Sequence, residues 1–284
     1  MQSTTSAECG MPATIGRAVT NAAARLGERL EAELLLAHAL ERDRAWLYAH
    51  AGDPIEAERW RACLELVRQR QCGRPVAYLL GQREFYGREF EVGDGVLIPR
   101  PETELLIDIA LQLPLPEQAR VVDVGTGSGC IALTLALERP GWQVMATDIS
   151  AEALAIAHRN RKWLGADAVE LLRGNLLEPL VNIHPDLVIS NPPYVAEGDP
   201  HLARGDVRFE PQTALVAGSD GLDVIRELVQ QSARALAAGG CLLIEHGHDQ
   251  AGEVRHLLQA ADFHAIASHR DLAGIERVTL GRRT

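Results

Sequence analysis

Asn191-Pro192-Pro193-Tyr194 follows directly on Asp186-Leu187-Val188-Ile189-Ser190, a run that reads as a short buried strand. The two prolines end such a strand, since neither donates to a ladder. They leave a stiff loop displaying a carboxamide and a phenol. The chemistry that suits this pair is alkylation of a poor amine nucleophile, the side-chain amide of glutamine or the exocyclic amine of a base. In both, the nitrogen lone pair is delocalised, and it becomes available only as the nitrogen turns more tetrahedral. The Asn191 side-chain oxygen and the Pro192 carbonyl are two acceptors that can hold the two N–H bonds and enforce that shape, and proline brings no competing donor. Tyr194 can stack on the flat amide or base and favour developing positive charge by about 0.5–2 kcal/mol, by analogy with cation–π contacts. Orienting the amine against the carbon it attacks can supply roughly 7–11 kcal/mol. No strong base is required, because an alkylated, cationic amine loses its proton readily.

A second cluster is Asp123-Val-Gly-Thr-Gly-Ser-Gly129. Glycines at 125, 127 and 129 suit a backbone that turns sharply or touches a ligand. A dinucleotide fingerprint needs G-x-G-x-x-G, but the sixth position from Gly125 is Cys130. The spacing therefore suits an adenosine ligand without a pyrophosphate. Asp148 closes the next strand, where a carboxylate can accept both hydroxyls of a ribose. Taken alone, that acid serves NAD and S-adenosylmethionine equally.

These groups need a scaffold that brings strand ends together. From about residue 119 the pattern runs strand, glycine turn, helix, strand, helix, with strands at "RVVDVGTGSGC", "WQVMATDIS", "VELLRGNLL", "DLVISNPPY", "CLLIEHG", "HAIASHR" and "RVTLG". Such alternation predicts an open, mostly parallel, doubly wound α/β sheet with ligands beyond the carboxyl ends of its strands. Residues 1–73 read as a small helical bundle with a packed core and solvated Arg and Glu faces. It has Thr14 capping a helix to about Leu26, a third helix after Asp43, and Asp53-Pro54 starting a fourth. Residues 74–99 read as a linker, with a hairpin from 76 to 98 alternating around Gly87 and a turn at Gly93-Asp94-Gly95. Residues 100–284 form the α/β domain, with Pro101 at a helix start. The first ten residues read as frayed.

Composition bounds the function. The chain has 284 residues, 46% hydrophobic and 24% charged, an ordinary globular mixture. A net charge of −11 disfavours gripping a long nucleic-acid backbone, which needs Lys and Arg against phosphates. Five scattered cysteines with no C-x-x-C pair suggest neither a disulfide framework nor zinc, and fit a reducing cytoplasm. No signal segment or membrane span is expected. His246 and His248, two apart at a strand end, are a weak metal pattern and read better as loop or packing histidines; no metal is expected.

The motifs "REFYGREFEV", "VLIPRPETE", "VVDVGTGSGCIAL", "TDISAEALAIAHRN", "ISNPPYV" and "FEPQTALVAGSDGLDVI" together resemble the HemK/PrmC family of release factor glutamine methyltransferases, from the helical bundle to the C-terminus. The resemblance implies a helical N-terminal domain, a hairpin linker and a seven-stranded, doubly wound, Rossmann-like S-adenosylmethionine-dependent methyltransferase domain. The implied reaction methylates the side-chain amide nitrogen of the Gly-Gly-Gln glutamine in class I peptide chain release factors. By position, S-adenosyl-L-methionine would meet Gly125, Thr126, Gly127, Ser128, Gly129, Asp148, Asn191 and, beside the adenine, Asn175 and Leu176. The substrate amide would meet Asn191, Pro192, Pro193 and Tyr194, with Asn191, Pro192 and Tyr194 catalytic. Arg100 and Glu102 would line the cofactor entrance. Leu176 stands where some relatives carry an aromatic residue. The expected partner is a release factor, met by a monomer whose helical domain docks the protein substrate, with no nucleic acid or membrane. The rivals are glutamine methylation of a large-subunit ribosomal protein, amine methylation of a nucleic-acid base, which needs a flipped base, and a non-catalytic binding module. A dehydrogenase is disfavoured by the glycine spacing.

Overall fold

The computed structural model describes residues 11–284, so the expected fraying of the first ten residues, and Cys9, lie outside the described residues. The chain divides into two compact units, one ending at Gly81 and one running Gln82–Thr284.

The first unit is helical: α1 (Ile15–Leu26), α2 (Arg29–Leu40), α3 (Arg44–Ala49), α4 (Ala57–Gln71) and α5 (Val76–Leu80). The Thr14 hydroxyl accepts the Arg17 N–H at the start of α1, and Gly27 at φ 75° closes it, as those residue types favour. Ile15, Ala18, Leu35, Leu36, Trp60 and Cys63 fill the core. Three expectations are corrected. Asp53-Pro54 does not start α4, which begins at Ala57 behind an uncapping Glu56. The Ala51 and Asp53 carbonyls instead accept the Gly16 and Ile15 N–H groups at 2.9 and 3.0 Å, satisfying donors that a first helical turn leaves without partners. Residues 76–80 are helical, so the hairpin begins only at Gln82. Finally, Glu33 is not on a solvated face: it is 2% exposed and accepts from Arg29, Arg44 and Tyr48 at 2.8, 2.8 and 2.7 Å.

The second unit opens with an antiparallel hairpin, β1 (Gln82–Phe85) and β2 (Arg88–Glu91), turning through Tyr86 and Gly87 at φ 52° and 72°. Two positive φ values give the strand-matching twist of a tight hairpin turn. The Tyr86 N–H donates to Glu104 at 2.8 Å and its hydroxyl to Asp108 at 2.9 Å, which holds a non-glycine residue in this conformation. Phe85 and Phe90 meet edge to face at 6.1 Å within the core under the main sheet.

After a 3-10 turn at Pro101–Thr103 come α6 (Glu104–Gln112), β3 (Arg120–Val124), α7 (Cys130–Glu138), β4 (Gln143–Asp148), α8 (Ala151–Leu164), β5 (Glu170–Arg173), β6 (Leu187–Ser190), α9 (Asp223–Ala235), β7 (Cys241–Glu245), α10 (Ala251–Ala260), β8 (Phe263–Arg270) and β9 (Glu276–Arg283). The seven-stranded sheet has the order β5-β4-β3-β6-β7-β9-β8. The first five are mutually parallel, and β9 runs antiparallel to β7 and β8. Alternate residues serve opposite faces: Val121, Leu187, Ile189 and Leu243 pack with α6 and α7, while Val122, Val188, Leu242 and Ile244 pack with α9 and α10. Connections leave β3 in one direction and β6 in the other, so a crevice opens beyond their carboxyl ends, the usual ligand position in such sheets. Among the described residues no helix is long and apolar enough to cross a membrane.

Candidate active site

The glycine loop leaves β3 at that crevice. Asp123 is fully buried; its Oδ2 accepts the Thr126 hydroxyl at 2.6 Å and the Ala132 N–H at 3.2 Å, tying both ends of the loop to the strand. Burial pushes the Asp123 carboxyl up to about 7, against those two hydrogen bonds. Gly125 and Gly127 sit at φ 72° and 55°, and a Cβ on either would meet no protein atom within 4 Å. The loop is therefore bare on the side where a ligand would lie. Gly129, at φ 86°, is different: its Cβ would come within 3.0 Å of Leu133, so its constraint is packing.

Asp148 ends β4 beside this loop. Its Oδ2 accepts the Gly127 N–H and its Oδ1 the Ser150 N–H, both at 2.9 Å, and burial raises its pKa against these bonds. The Ser128 carbonyl accepts from Asn160 of α8 at 2.8 Å, and the same side chain bonds both ways to the Glu91 backbone. Asn160 thereby fastens the hairpin to the loop. Asn175 donates to Glu227 at 2.8 Å, and Leu176 adopts φ 49° in the loop that follows β5. This set fits S-adenosylmethionine: an open glycine cradle, a carboxylate at the next strand end, and no room demanded for a pyrophosphate.

Asn191, Pro192 and Tyr194 line a cavity of about 210 Å³ with Leu97, Val195 and Leu202, beyond the end of β6. The Ser190 hydroxyl donates to the Val124 carbonyl at 2.7 Å, locking this strand end to the glycine-loop strand. Asn191 Nδ2 donates to the Thr103 hydroxyl at 3.1 Å, which leaves Oδ1 as the amide's acceptor. The Tyr194 hydroxyl donates to Glu245 Oε1 at 3.4 Å; burial raises the phenol's pKa, and Glu245 adds to the rise. The Tyr194 carbonyl accepts from Gln250 at 3.0 Å. Gly221 passes so close that a Cβ there would lie 2.3 Å from that carbonyl.

Arg100 lines the same cavity and pairs with buried Glu210 at 2.6 Å, while Glu102 is exposed on the neighbouring turn. Burial raises the Glu210 pKa against the pull of Arg100. Thr103, Glu210 and Glu245 were missed as site residues from the sequence. Glu245 left a signal, an acid closing the wholly apolar run Cys241–Ile244. His246 is buried with Nδ1 on the Gly247 carbonyl and Nε2 on the Thr279 hydroxyl, at 3.0 and 2.8 Å. His248 is exposed, 3.8 Å from Asp249. Among the described residues no group of His, Cys, Asp or Glu is arranged to hold a metal.

Sheet order, the bare glycine cradle, the carboxylate at the next strand end and the Asn-Pro-Pro-Tyr loop fit a Rossmann-like methyltransferase dependent on S-adenosylmethionine. The comparisons are specific. The PrmC N-terminal domain family matches residues 17–81 and the methyltransferase small domain family residues 101–206. A release factor glutamine methyltransferase of Xylella fastidiosa (strain Temecula1) is 49% identical, over 96% of this chain and 98% of that one. Another, from Bordetella pertussis, is 48% identical over 89% and 94%. A T. thermophilus 16S rRNA methyltransferase solved with AdoMet and guanosine shares the fold, with a TM-score of 0.51 and 20% identity over 72% of this chain and 50% of that one. This chain belongs to the release factor glutamine methyltransferase family.

Proposed function

We propose that this chain transfers a methyl group to the side-chain amide nitrogen of the glutamine in the Gly-Gly-Gln loop of class I release factors. S-adenosylmethionine, when bound, supplies the electrophilic methyl carbon on a positively charged sulfur. Gly125–Gly129 and Asp148 hold it, with Asn175 and Leu176 on the adenine side. The single observation that carries the reading is the Asn191 carboxamide at the cavity wall. Its Nδ2 donates to Thr103, and its oxygen is the acceptor it can offer a substrate. An acceptor there binds an amide N–H and repels a substrate oxygen. The Pro192 carbonyl takes the second N–H, and the Tyr194 ring covers the flat amide. The apolar wall of Leu97, Val195 and Leu202 excludes water, which strengthens those hydrogen bonds.

We infer further that the helical unit docks the protein substrate and that the enzyme works in the cytoplasm as a monomer on protein, not nucleic acid. Ten basic residues balance ten acidic ones through Gly81, whereas Gln82–Thr284 has eighteen against twenty-nine and carries all of the −11. That acidity supports a protein substrate over a polyphosphate one.

The test is mass analysis of Gly-Gly-Gln peptides after incubating each release factor with enzyme and S-adenosylmethionine. One added methyl on that glutamine is expected. Methyl gained instead by a large-subunit ribosomal protein or by a nucleic-acid amine overturns the assignment. Removing residues 1–81 is expected to spare transfer to a short Gly-Gly-Gln peptide better than transfer to the intact factor; equal effects on both would sink the docking role.

A further inference from the structure

We infer that Gln250 is a positioning residue for the reaction: its carboxamide clamps the Tyr194–Val195 peptide and so fixes the Tyr194 ring that covers the substrate amide. This role presupposes the methyltransferase reading above, which leaves Gln250 without one.

The loop is locked on one side only. Pro192 and Pro193 restrict the chain that enters Tyr194, but Val195-Ala196, which leaves it, has no such lock. Hydrogen bonds hold that side instead. The Val195 N–H donates to the Leu215 carbonyl at 2.8 Å. The Tyr194 carbonyl, on the same rigid peptide plane, accepts from Gln250 Nε2 at 3.0 Å. The ring's own tether, the hydroxyl on Glu245 Oε1, is longer at 3.4 Å, so the backbone clamp is the firmer hold. Gln250 reaches in from the turn between β7 and α10. Its Nε2 also meets the Asp220 carbonyl at 3.4 Å, and its Oε1 accepts the Gly247 N–H at 2.8 Å. Backbone carbonyls only accept and a backbone N–H only donates, so these three groups allow the carboxamide one orientation. Two glycines make room for it. A Cβ on Gly221 would lie 2.3 Å from the Tyr194 oxygen and 2.9 Å from Gln250 Nε2, and one on Gly247 would lie 2.9 Å from Gln250 Oε1.

The turn that aims Gln250 is itself braced. The Gly247 carbonyl accepts the Gln250 N–H at 3.1 Å, and it lies 3.0 Å from His246 Nδ1. A carbonyl only accepts, so Nδ1 carries the proton, and Nε2 of the neutral ring accepts. The Thr279 hydroxyl stands 2.8 Å from Nε2; His246 and Thr279 are both 0% exposed. Thr279 meets Ser268 at 2.9 Å, and Ser268 accepts from Arg255 of α10 at 2.7 Å. Buried polar groups of β7, β8 and β9 thus join behind the turn and account for a histidine at the end of an apolar strand.

Gln250→Glu keeps the shape and still accepts from Gly247, but it sets a carboxylate against the Tyr194 and Asp220 carbonyls. Gln250→Met removes the donor without adding charge. Each is expected to lower kcat for a release factor by about 10- to 100-fold, the scale of a misplaced group at a reacting centre. KM and the S-adenosylmethionine Kd should stay within about threefold, as for a contact felt in the transition state. In a Tyr194→Ala background, with no ring left to place, either substitution is expected to add less than about twofold. If Gln250→Glu fails to fold, Gln250→Met carries the test; if neither folds, Gln250 serves the fold and not the reaction, and the positioning role falls. It falls too if a folded variant keeps more than half of wild-type kcat, if the loss lies only in KM, or if losses multiply with Tyr194→Ala. A wild-type enzyme inert on every release factor overturns the functional reading instead. Amide exchange at Val195, whose N–H shares the clamped peptide, then judges the clamp. It is expected to quicken about 3- to 10-fold in Gln250→Met, one hydrogen bond's worth, and an unchanged rate rejects the clamp.

Discussion

The two units bury acids in opposite ways. In the helical unit Glu33 is saturated by two arginines and a tyrosine. Burial works against its charge, but the hydrogen bonds from Arg44, Tyr48 and Arg29 outweigh it and hold the carboxyl below its usual range. In the methyltransferase unit Asp123, Glu210 and Glu245 are as deeply buried but undersupplied. Asp123 Oδ1, Glu210 Oε2 and Glu245 Oε2 meet no hydrogen-bond partner among the described residues, and desolvation raises all three. An acid that serves only the fold is surrounded until its charge is favourable. The acids ringing the crevice are left short, a local inconsistency of the kind that marks functional sites.

The largest test of that contrast is Asn191→Ala. Removing an acceptor that lines the crevice beside these acids is expected to cut kcat by about 10²–10³-fold, by analogy with the loss of one preorganised hydrogen-bonding group, while S-adenosylmethionine Kd stays within a few fold by calorimetry. Unchanged turnover would show that the loop does not orient the amide. Next in size is Asp148→Ala. Losing a charged acceptor for two ribose hydroxyls is expected to cost about 1.5–3 kcal/mol, a Kd raised roughly 10- to 100-fold, with kcat at saturating cofactor little changed. A Kd that does not move would remove Asp148 from the cofactor site.

Most of this architecture was legible because it is periodic or punctuated. The strand–helix alternation gave the sheet, the prolines after Ser190 gave the loop, and three glycines after β3 gave the cradle. What was hidden depends on contacts far apart in sequence. Thr103 meets Asn191 across 88 residues and Arg100 meets Glu210 across 110, and no local pattern encodes such pairs. Asp53-Pro54 misled for a related reason. It has the form of a helix start, but its carbonyl serves the first turn of α1, a tertiary demand that overrides local preference. Glu33 was hidden likewise, since its Arg44 and Tyr48 partners lie 11 and 15 residues on.

The smallest expected effect is also the one that separates the two kinds of buried acid. The Glu33 pKa is lowered in the folded chain, so its stabilising contribution is complete above the unfolded value of about 4.3 and is lost as pH falls through the folded value. Glu245 and Asp123 are raised to about 7, so folding favours their protonated forms. Their effect is to lower stability as pH rises from about 4 toward 7, the opposite slope. Arg29 and Arg44 are 65% and 44% exposed, so solvent screens their pairs, and Glu33→Gln is expected to cost only about 1–2 kcal/mol at pH 7. Urea midpoints followed from pH 3 to 8 should show that deficit closing toward pH 3. Glu245→Gln should instead gain on the wild type above pH 5. Parallel curves for the two variants would mean that saturated and undersupplied acids do not differ as their surroundings require.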